Sequence, residues 1–249
     1  MSPGLLRFIW IWVVMTLVAA IGCGPNEALQ AERRVAAASE AQAVGSTPAA
    51  VNRTGQPAAG ARPRVVVLGD SLTAGLGLPP GQAYPALLQQ RLTAEGFNYE
   101  VVNAGVSGDT SAGGLSRVDW VLGPDVRVLV VAFGGNDGLR GLPVDELKRN
   151  LGEIIRRAKA KHVDVVLAGM EAPPNLGKTY SDGFRDAYTS LAREEHVPLV
   201  PFLLAGVAGV ASLNQADGIH PTATGAQMAA DNVWPLLQPL LERPLRHDR

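Results

Sequence analysis

The chain has 249 residues, of which 47% are hydrophobic and 18% are charged, the composition of an ordinary globular protein. Its formal net charge of −1 gives no electrostatic reason to expect nucleic acid as a partner. The single cysteine, Cys23, excludes an intrachain disulfide and a metal site built from several cysteines. The chain also lacks a phosphate-binding lysine loop and paired histidines at metal-binding spacing, so we expect neither a cofactor nor a metal.

The N-terminus has the pattern of a targeting segment. Residues 1–22 form a predicted signal peptide, because Arg7 precedes the uncharged run Phe8–Ile21, which is shorter than the ~20 apolar residues that span a membrane. Cys23 follows directly, in a context that resembles the cleavage motif of bacterial lipoproteins. That resemblance implies acylation of the Cys23 thiol and a lipid anchor, and it places the protein in the cell envelope or periplasm, membrane-anchored or secreted.

The remaining chain divides into three parts by composition. Residues 23–62 are rich in Pro, Gly, Gln, Ala, Ser and Glu, and such a stretch cannot bury enough apolar surface to offset its ordering entropy. We predict a disordered tether there, a single folded domain over 63–241 and a flexible tail over 242–249.

Short apolar runs and amphipathic segments alternate along the predicted domain. This alternation predicts an α/β fold with a parallel sheet and helices on both faces. The five predicted strands are Val65–Leu68, Tyr99–Val102, Val126–Phe133, Val163–Ala168 and Val197–Val200. Apolar residues at helical spacing predict helices over Tyr84–Leu92 and Val144–Ile155, and the segment Phe184–Glu195 is a third predicted helix. A last helix is predicted from Pro221 to Val233, where Pro235 bends or ends it.

Glycines and small polar residues follow the predicted strands at the edge where parallel sheets bind ligands. The blocks are Gly69–Leu72, Asn103–Thr110, Gly134–Asp137 and, before the last helix, Asp217–Pro221. A serine hydroxyl needs a base to become a nucleophile, so Ser71 with His220 as base and Asp217 as its orienting acid predicts a catalytic triad. The backbone N–H groups of Ser71 and Gly108 and the side-chain amide of Asn136 are candidate oxyanion donors.

Each of these residues also has a plain structural interpretation. Ser71 and Asn136 suit turns, His220 suits the start of a helix, and Asp217 suits a helix cap. Asp70, Asp109 and Asp137 are expected to hold loop backbones through hydrogen bonds. His162 and His196 precede predicted strands and are expected at the rim or surface, and His247 lies in the tail.

Taken in order, the four blocks resemble those of the SGNH (GDSL-type) hydrolase family, and within it the bacterial thioesterase, lysophospholipase and arylesterase branch. The resemblance covers about Arg64 to Leu240, and the stretch Gly134–Gly141 is especially close to that branch. It implies a flavodoxin-like three-layer α/β/α sandwich with a five-stranded parallel sheet. It also implies Ser71, Asp217 and His220 as the triad and Ser71, Gly108 and Asn136 as the oxyanion hole.

The resemblance implies hydrolysis of small acyl esters, lysophospholipids or thioesters. Two other functions stay open: a carbohydrate acetylesterase of the cell envelope, and a catalytically silent lipoprotein that binds a lipid or glycan. One residue departs from the branch pattern: Glu171, in the loop after the fourth strand, stands where a basic or neutral residue is expected. Glu171 either reshapes the specificity pocket or points to solvent, with solvent favoured.

Overall fold

A computed structural model describes residues 62–244 of the chain. In this range five parallel strands form one sheet in the order β2-β1-β3-β4-β5, which confirms the predicted sheet. The central strands are buried on both faces, as their nearly continuous apolar sequences predict. The strands are β1 (Arg64–Gly69), β2 (Glu100–Gly105), β3 (Val126–Ala132), β4 (Asp164–Ala168) and β5 (Leu199–Val200).

Seven α-helices accompany the sheet in the described part of the chain. They are α1 (Ser71–Ala74), α2 (Tyr84–Ala94), α3 (Ser111–Val121), α4 (Gly135–Leu139), α5 (Val144–Ala160), α6 (Lys178–Glu195) and α7 (Ala223–Leu241). Helix α2 packs against α7, whereas α5 packs against both α3 and α6. The two groups of helices cover the two faces of the sheet and produce the three-layer α/β/α architecture.

The last helix differs from the sequence-based prediction. We expected it to run from Pro221 to Val233 and to bend or end at Pro235, but α7 continues through Pro235 and Pro239 to Leu241. Proline removes a helical hydrogen bond, yet the apolar face of this helix stays buried along its whole length. Burial of that face outweighs the local cost, because packing contributes most of the stability of a helix in a folded protein.

Four other helices were missed or misjudged from sequence. Helix α1, a single turn over Ser71–Ala74, was not predicted. Helix α6 begins at Lys178, six residues before the predicted start at Phe184. Helices α3 and α4 were not predicted, because both contain pairs of residues that are poor helix formers, such as Gly113 and Gly114. Both helices begin at the carboxyl end of the sheet, so they position the loops that form the candidate site.

The structure describes neither residues 1–61 nor residues 245–249. The predicted signal peptide, Cys23, nearly all of the predicted tether and His247 therefore lie outside the described residues. Within the described range, none of the helices combines the length and the apolar character that crossing a membrane requires.

Candidate active site

The candidate nucleophile lies directly after β1. Asp70 caps helix α1, because its Oδ1 accepts the backbone N–H of Leu72 at 3.0 Å, and Ser71 is the first residue of that helix. The N–H groups of a first helical turn have no partner within the helix. The backbone N–H of Ser71 is therefore not used by helix α1 itself.

The three predicted triad residues form one chain of hydrogen bonds. Nε2 of His220 lies 2.9 Å from Oγ of Ser71, and Nδ1 of His220 lies 2.6 Å from Oδ2 of Asp217. The second oxygen of Asp217 accepts the backbone N–H groups of Ile219 and His220, at 2.9 and 3.0 Å. Asp217 therefore both closes the turn that carries His220 and bonds its imidazole.

A glutamine attaches this turn to the loop after α1. The side-chain amide of Gln215 donates to the carbonyls of Leu76 and Pro221, at 2.7 and 2.9 Å, and its backbone N–H donates to the carbonyl of His220 at 2.7 Å. The sequence analysis did not identify Gln215. Its contacts hold the His220 turn beside the Ser71 loop, although these residues are far apart in the chain.

The carboxylate of the predicted triad and the carboxylate next to Ser71 have opposite pKa shifts. The hydrogen bond from the His220 side chain, together with the two backbone N–H groups, lowers the pKa of Asp217 to about 2. Burial raises the pKa of Asp70 to about 6, because desolvation penalises its charged form. Asp217 therefore stays ionised at neutral pH and can hold a positive charge on His220.

The other two predicted oxyanion residues come from the loops that follow β2 and β3, the second of which contains the short helix α4. Gly108 has φ of +86°, a backbone conformation that favours glycine, in the loop between β2 and α3. Asn136 lies in α4 and uses one of its two amide hydrogens to bond the carbonyl of Asp109 at 2.9 Å. Arg140 donates to the carbonyl of Gly108 at 3.0 Å, so the two loops are bonded to each other at two points.

A buried carboxylate supplies a third connection between these loops. Asp137 is only 3% exposed, and its two oxygens accept the backbone N–H of Ser111 at 2.9 Å and the hydroxyl of Ser111 at 2.5 Å. The Ser111 hydroxyl in turn accepts the side-chain amide of Asn150, on α5, at 3.0 Å. Ser111 and Asn150 were not found from sequence, because no local pattern marks a bond between segments 39 residues apart.

Asp70 and Asp137 hold backbone groups, as predicted, whereas the prediction for Asp109 was wrong. Its carboxylate pairs with the side chain of Arg117 on α3, at 2.7 Å, instead of with the loop backbone. Arg117 was not singled out in the sequence. The structural role of the Arg117 side chain becomes apparent only from the fold, in which α3 packs beside the sheet.

Ser71, His220, Gly108 and Asn136 all line one cleft of about 490 Å³. Apolar side chains form most of the wall; they are Leu72, Leu76, Leu139, Met170, Ala172, Pro173, Pro174, Phe202, Leu204, Ala208 and Ile219. Glu171 also lines the cleft, with its side chain about half exposed and 3.6 Å from Nε of Arg185. Glu171 is therefore partly exposed to solvent, as expected, but it also forms part of the cleft wall.

The other described histidines lie elsewhere. His162 and His196 follow the ends of α5 and α6 in left-handed backbone conformations, with φ of 58° and 52°. Neither residue lines the cleft. Among residues 62–244, no group of three or more His, Cys, Asp or Glu side chains could hold a metal ion.

A parallel α/β sheet that carries a Ser–His–Asp arrangement at its carboxyl edge defines a serine hydrolase. The model of the GDSL-like lipase/acylhydrolase family matches residues 67–228. Esterase TesA of Pseudomonas aeruginosa is 48% identical over 178 residues, which are 71% of this chain and 89% of that protein. Thioesterase 1/protease 1/lysophospholipase L1 of Escherichia coli is 38% identical over 184 residues, 74% of this chain and 87% of that protein.

A solved structure agrees with these relatives. The crystal structure of TesA matches with a TM-score of 0.69 and 46% identity, over 71% of this chain and 99% of that chain. The chain belongs to the GDSL-like lipase/acylhydrolase family. It is an ester hydrolase with the fold of that family.

Proposed function

We propose that the protein cleaves acyl esters and thioesters through an acyl-enzyme on Ser71, with His220 as base and Asp217 as its orienting acid. The observation that carries this proposal is the unbroken chain of contacts from Asp217 to His220 to Ser71, at 2.6 and 2.9 Å, at the wall of an apolar cleft. This is the geometry that a serine nucleophile needs in order to be activated.

The reaction follows from the atoms that meet in the cleft. Oγ of Ser71 attacks the acyl carbonyl as its proton passes to Nε2 of His220. The N–H groups of Ser71 and Gly108 and the free amide hydrogen of Asn136 bind the negative oxygen of the tetrahedral intermediate. His220 then gives its proton to the departing alcohol or thiol, and the acyl group remains on Ser71.

Water completes the cycle from the same position. His220 takes a proton from water, and the resulting hydroxide attacks the acyl-enzyme. The tetrahedral intermediate then collapses, the ester bond to Oγ of Ser71 breaks, and His220 returns its proton to Oγ as the carboxylic acid leaves. Asp217 keeps its negative charge throughout, because its pKa of about 2 lies far below neutral pH. Its role is to hold the His220 ring in position and stabilise the imidazolium.

The cleft favours substrates with an acyl chain. Its wall is mostly apolar, and a volume of about 490 Å³ exceeds the space that an acetyl group needs. The relatives are named as an esterase and as a thioesterase and lysophospholipase. We therefore propose small acyl esters, lysophospholipids and acyl thioesters as the substrate classes, in preference to acetylated carbohydrate.

We further propose that residues 1–22 are a signal peptide and that acylated Cys23 anchors the protein to a membrane of the cell envelope. The support is the apolar run Phe8–Ile21, which Gly22 separates from Cys23, the only cysteine of the chain. Incorporation of an alkyne-tagged fatty acid into the wild-type chain, and its loss in Cys23→Ser, tests the anchor. Equal incorporation in both chains would contradict it.

The catalytic proposal is tested with nitrophenyl esters from acetate to palmitate, using the full chain in detergent. We expect turnover that rises beyond acetate and disappears in Ser71→Ala, while circular dichroism stays unchanged. Ser116→Ala is the matched control, because Ser116 is exposed on α3 and bonds only the carbonyl of Gly113. Turnover by folded Ser71→Ala close to that of wild type would overturn the proposal, and a maximum at acetate would favour the acetylesterase.

A further inference from the structure

Arg117 binds three separate segments at the carboxyl end of the sheet. From its position on α3, Nε donates to Oδ2 of Asp109 at 2.7 Å, Nη1 donates to the carbonyl of Ala104 at 2.8 Å, and Nη2 donates to the carbonyl of Gly69 at 2.9 Å. The side chain is only 21% exposed. All three nitrogens of the guanidinium are thus used inside the protein.

Two of the three acceptors lie close in sequence to proposed oxyanion donors, and the third lies beside one of these segments in the sheet. Gly69 is the last residue of β1, two residues before Ser71, and Asp109 directly follows Gly108. Ala104 lies at the end of β2, paired in the sheet with Leu68 of β1. Arg117 therefore joins the segment that carries the Ser71 N–H to the segment that carries the Gly108 N–H.

The third donor segment also contacts this side chain. The guanidinium carbon of Arg117 lies 5.8 Å from the centre of the Phe133 ring, within the range of a cation–π contact. Phe133 is fully buried and comes three residues before Asn136. Gly114 makes room for the ring on α3, because a Cβ there would lie 2.2 Å from the ring atom Cε2 of Phe133.

We propose that Arg117 is a positioning residue that sets the spacing of the three oxyanion donors. The proposal rests on the proposed function, in which Ser71, Gly108 and Asn136 bind the tetrahedral oxygen. A guanidinium is a rigid planar fork with five N–H donors, so it fixes the relative places of several acceptors at once. Catalytic groups must be held to within about 0.5 Å of their productive geometry, which a single loop rarely achieves by itself.

The proposed role predicts that a change at Arg117 weakens binding of the transition state and leaves binding of the substrate nearly unchanged. Oxyanion donors act on charge that develops only in the tetrahedral state, so displaced donors lower kcat and leave KM almost unchanged. A trifluoromethyl ketone, to which the Ser71 hydroxyl adds to form a tetrahedral oxyanion, is a direct probe of these donors. Loss of general packing around the cleft would instead weaken the binding of ester and ketone alike.

The test compares Arg117→Lys and Arg117→Met with wild type in the full chain. Lysine keeps a positive charge beside Asp109 but cannot reproduce the planar fork. Arg91→Met is the matched control. Arg91 likewise bonds more than one partner, here the carboxylates of Glu95 and Asp231, and contacts an aromatic ring, but it lies away from the cleft. The readouts are kcat and KM on a nitrophenyl ester, the ketone inhibition constant and the melting temperature.

We expect Arg117→Lys to lower kcat by about 10-fold and Arg117→Met by about 100-fold, with KM within about 2-fold of wild type. The ketone should bind more weakly by about the same factor as kcat falls, and Arg91→Met should retain the wild-type values. If Arg117→Met does not fold, Arg117→Lys decides the question.

The inference is overturned if folded Arg117→Lys keeps kcat and ketone affinity within about 2-fold of wild type, or if its loss appears only in KM. A failure of the proposed function gives a different result. In that case wild type is inactive, or Ser71→Ala remains active, before any change at Arg117 is made.

Discussion

The two sides of the cleft are held in place by different kinds of contact. We call the side with Asp217 and His220 the proton-transfer side and the side with Gly108 and Asn136 the oxyanion side, after their proposed roles. On the proton-transfer side, Asp217 and His220 are three residues apart in one turn, and the Asp217 side chain is 45% exposed. On the oxyanion side, Gly108 and Asn136 come from separate loops joined by bonds between distant segments, including those of the buried Asp137. The Asp217–His220 pair is built within one turn, which Gln215 attaches to the Ser71 loop, and its carboxylate lies partly in water. The segments of Gly108 and Asn136 are joined by long-range contacts, and among these the bonds of Asp137 are buried.

The difference predicts how each side responds to substitution. The Asp217 side chain is about half exposed, and the 16% exposed His220 side chain bonds Asp217 within the same turn. Changes at this pair should therefore alter the rate with a smaller effect on unfolding than changes at a buried polar group. A buried polar group that loses its partner costs free energy of folding. Changes on the oxyanion side should therefore alter both rate and stability.

The largest expected effect comes from the proton-transfer side. His220→Ala removes the base, and we expect kcat to fall by about 10⁴-fold or more because Ser71 keeps its proton. The melting temperature should stay within a few degrees of wild type. Steady-state kinetics on a nitrophenyl ester together with a thermal melt measure both quantities.

His196→Asn provides the control for that experiment. His196 is exposed at the end of α6 in a left-handed conformation that asparagine tolerates, and it lies outside the cleft. It should retain wild-type kcat. A His220→Ala variant with more than about one tenth of wild-type kcat would remove the imidazole from the proposed mechanism.

A smaller effect on rate is expected from the oxyanion side, joined to a loss of stability. Asp137→Asn keeps the shape of the side chain but replaces one acceptor with a donor, so one of the two bonds to Ser111 is lost. We expect kcat to fall by about 10- to 100-fold. The free energy of unfolding should fall by about 1–3 kcal/mol, measured by urea titration.

Asp145→Asn is the matched change at an exposed carboxylate, in the first turn of α5, and should leave kcat unchanged. An Asp137→Asn protein with a lower kcat and unchanged stability would contradict the claim that the buried contacts on the oxyanion side contribute to stability. One that loses stability without rate would show that the connection between the loops does not position the donors.

The smallest effect is a pH dependence of stability at Asp70, which lies between the two sides. Its raised pKa, about 6 against an ordinary value of 3.8, means that the folded protein holds this proton more tightly than the unfolded chain. Stability from this group is therefore complete below pH ~4 and is lost as pH rises through about 6.

Asp70→Asn removes this titration and keeps an oxygen for the N–H of Leu72. Urea unfolding of both proteins from pH 4 to 8 should show the variant gaining on wild type as pH rises. A constant difference across that range would contradict the buried, proton-binding Asp70.

The sequence predicts the features that depend on local signals and misses those that depend on contacts between distant segments. The five strands and the blocks at their ends were predicted because hydrophobic periodicity and turn residues are local signals. Asp217 and His220 could be paired from their spacing, and Gly108 and Asn136 became candidate oxyanion donors from their places after the predicted strands, which the resemblance to a family then supported. Arg117, Asn150 and Gln215 were missed, because their partners lie in segments that only the fold brings together. The extension of α7 through two prolines was missed for a similar reason, since burial in the finished fold outweighs the local signal.

The central claim, that Ser71 is the nucleophile activated by His220, is tested most directly by covalent labelling. A nitrophenyl alkylphosphonate reacts with an activated serine by losing nitrophenol, and peptide mass spectrometry then locates the phosphonyl group. The account predicts one label per chain, on the peptide that contains Ser71, absent in Ser71→Ala and far slower to form in His220→Ala. Complete inhibition of wild type with the label on another residue would contradict it.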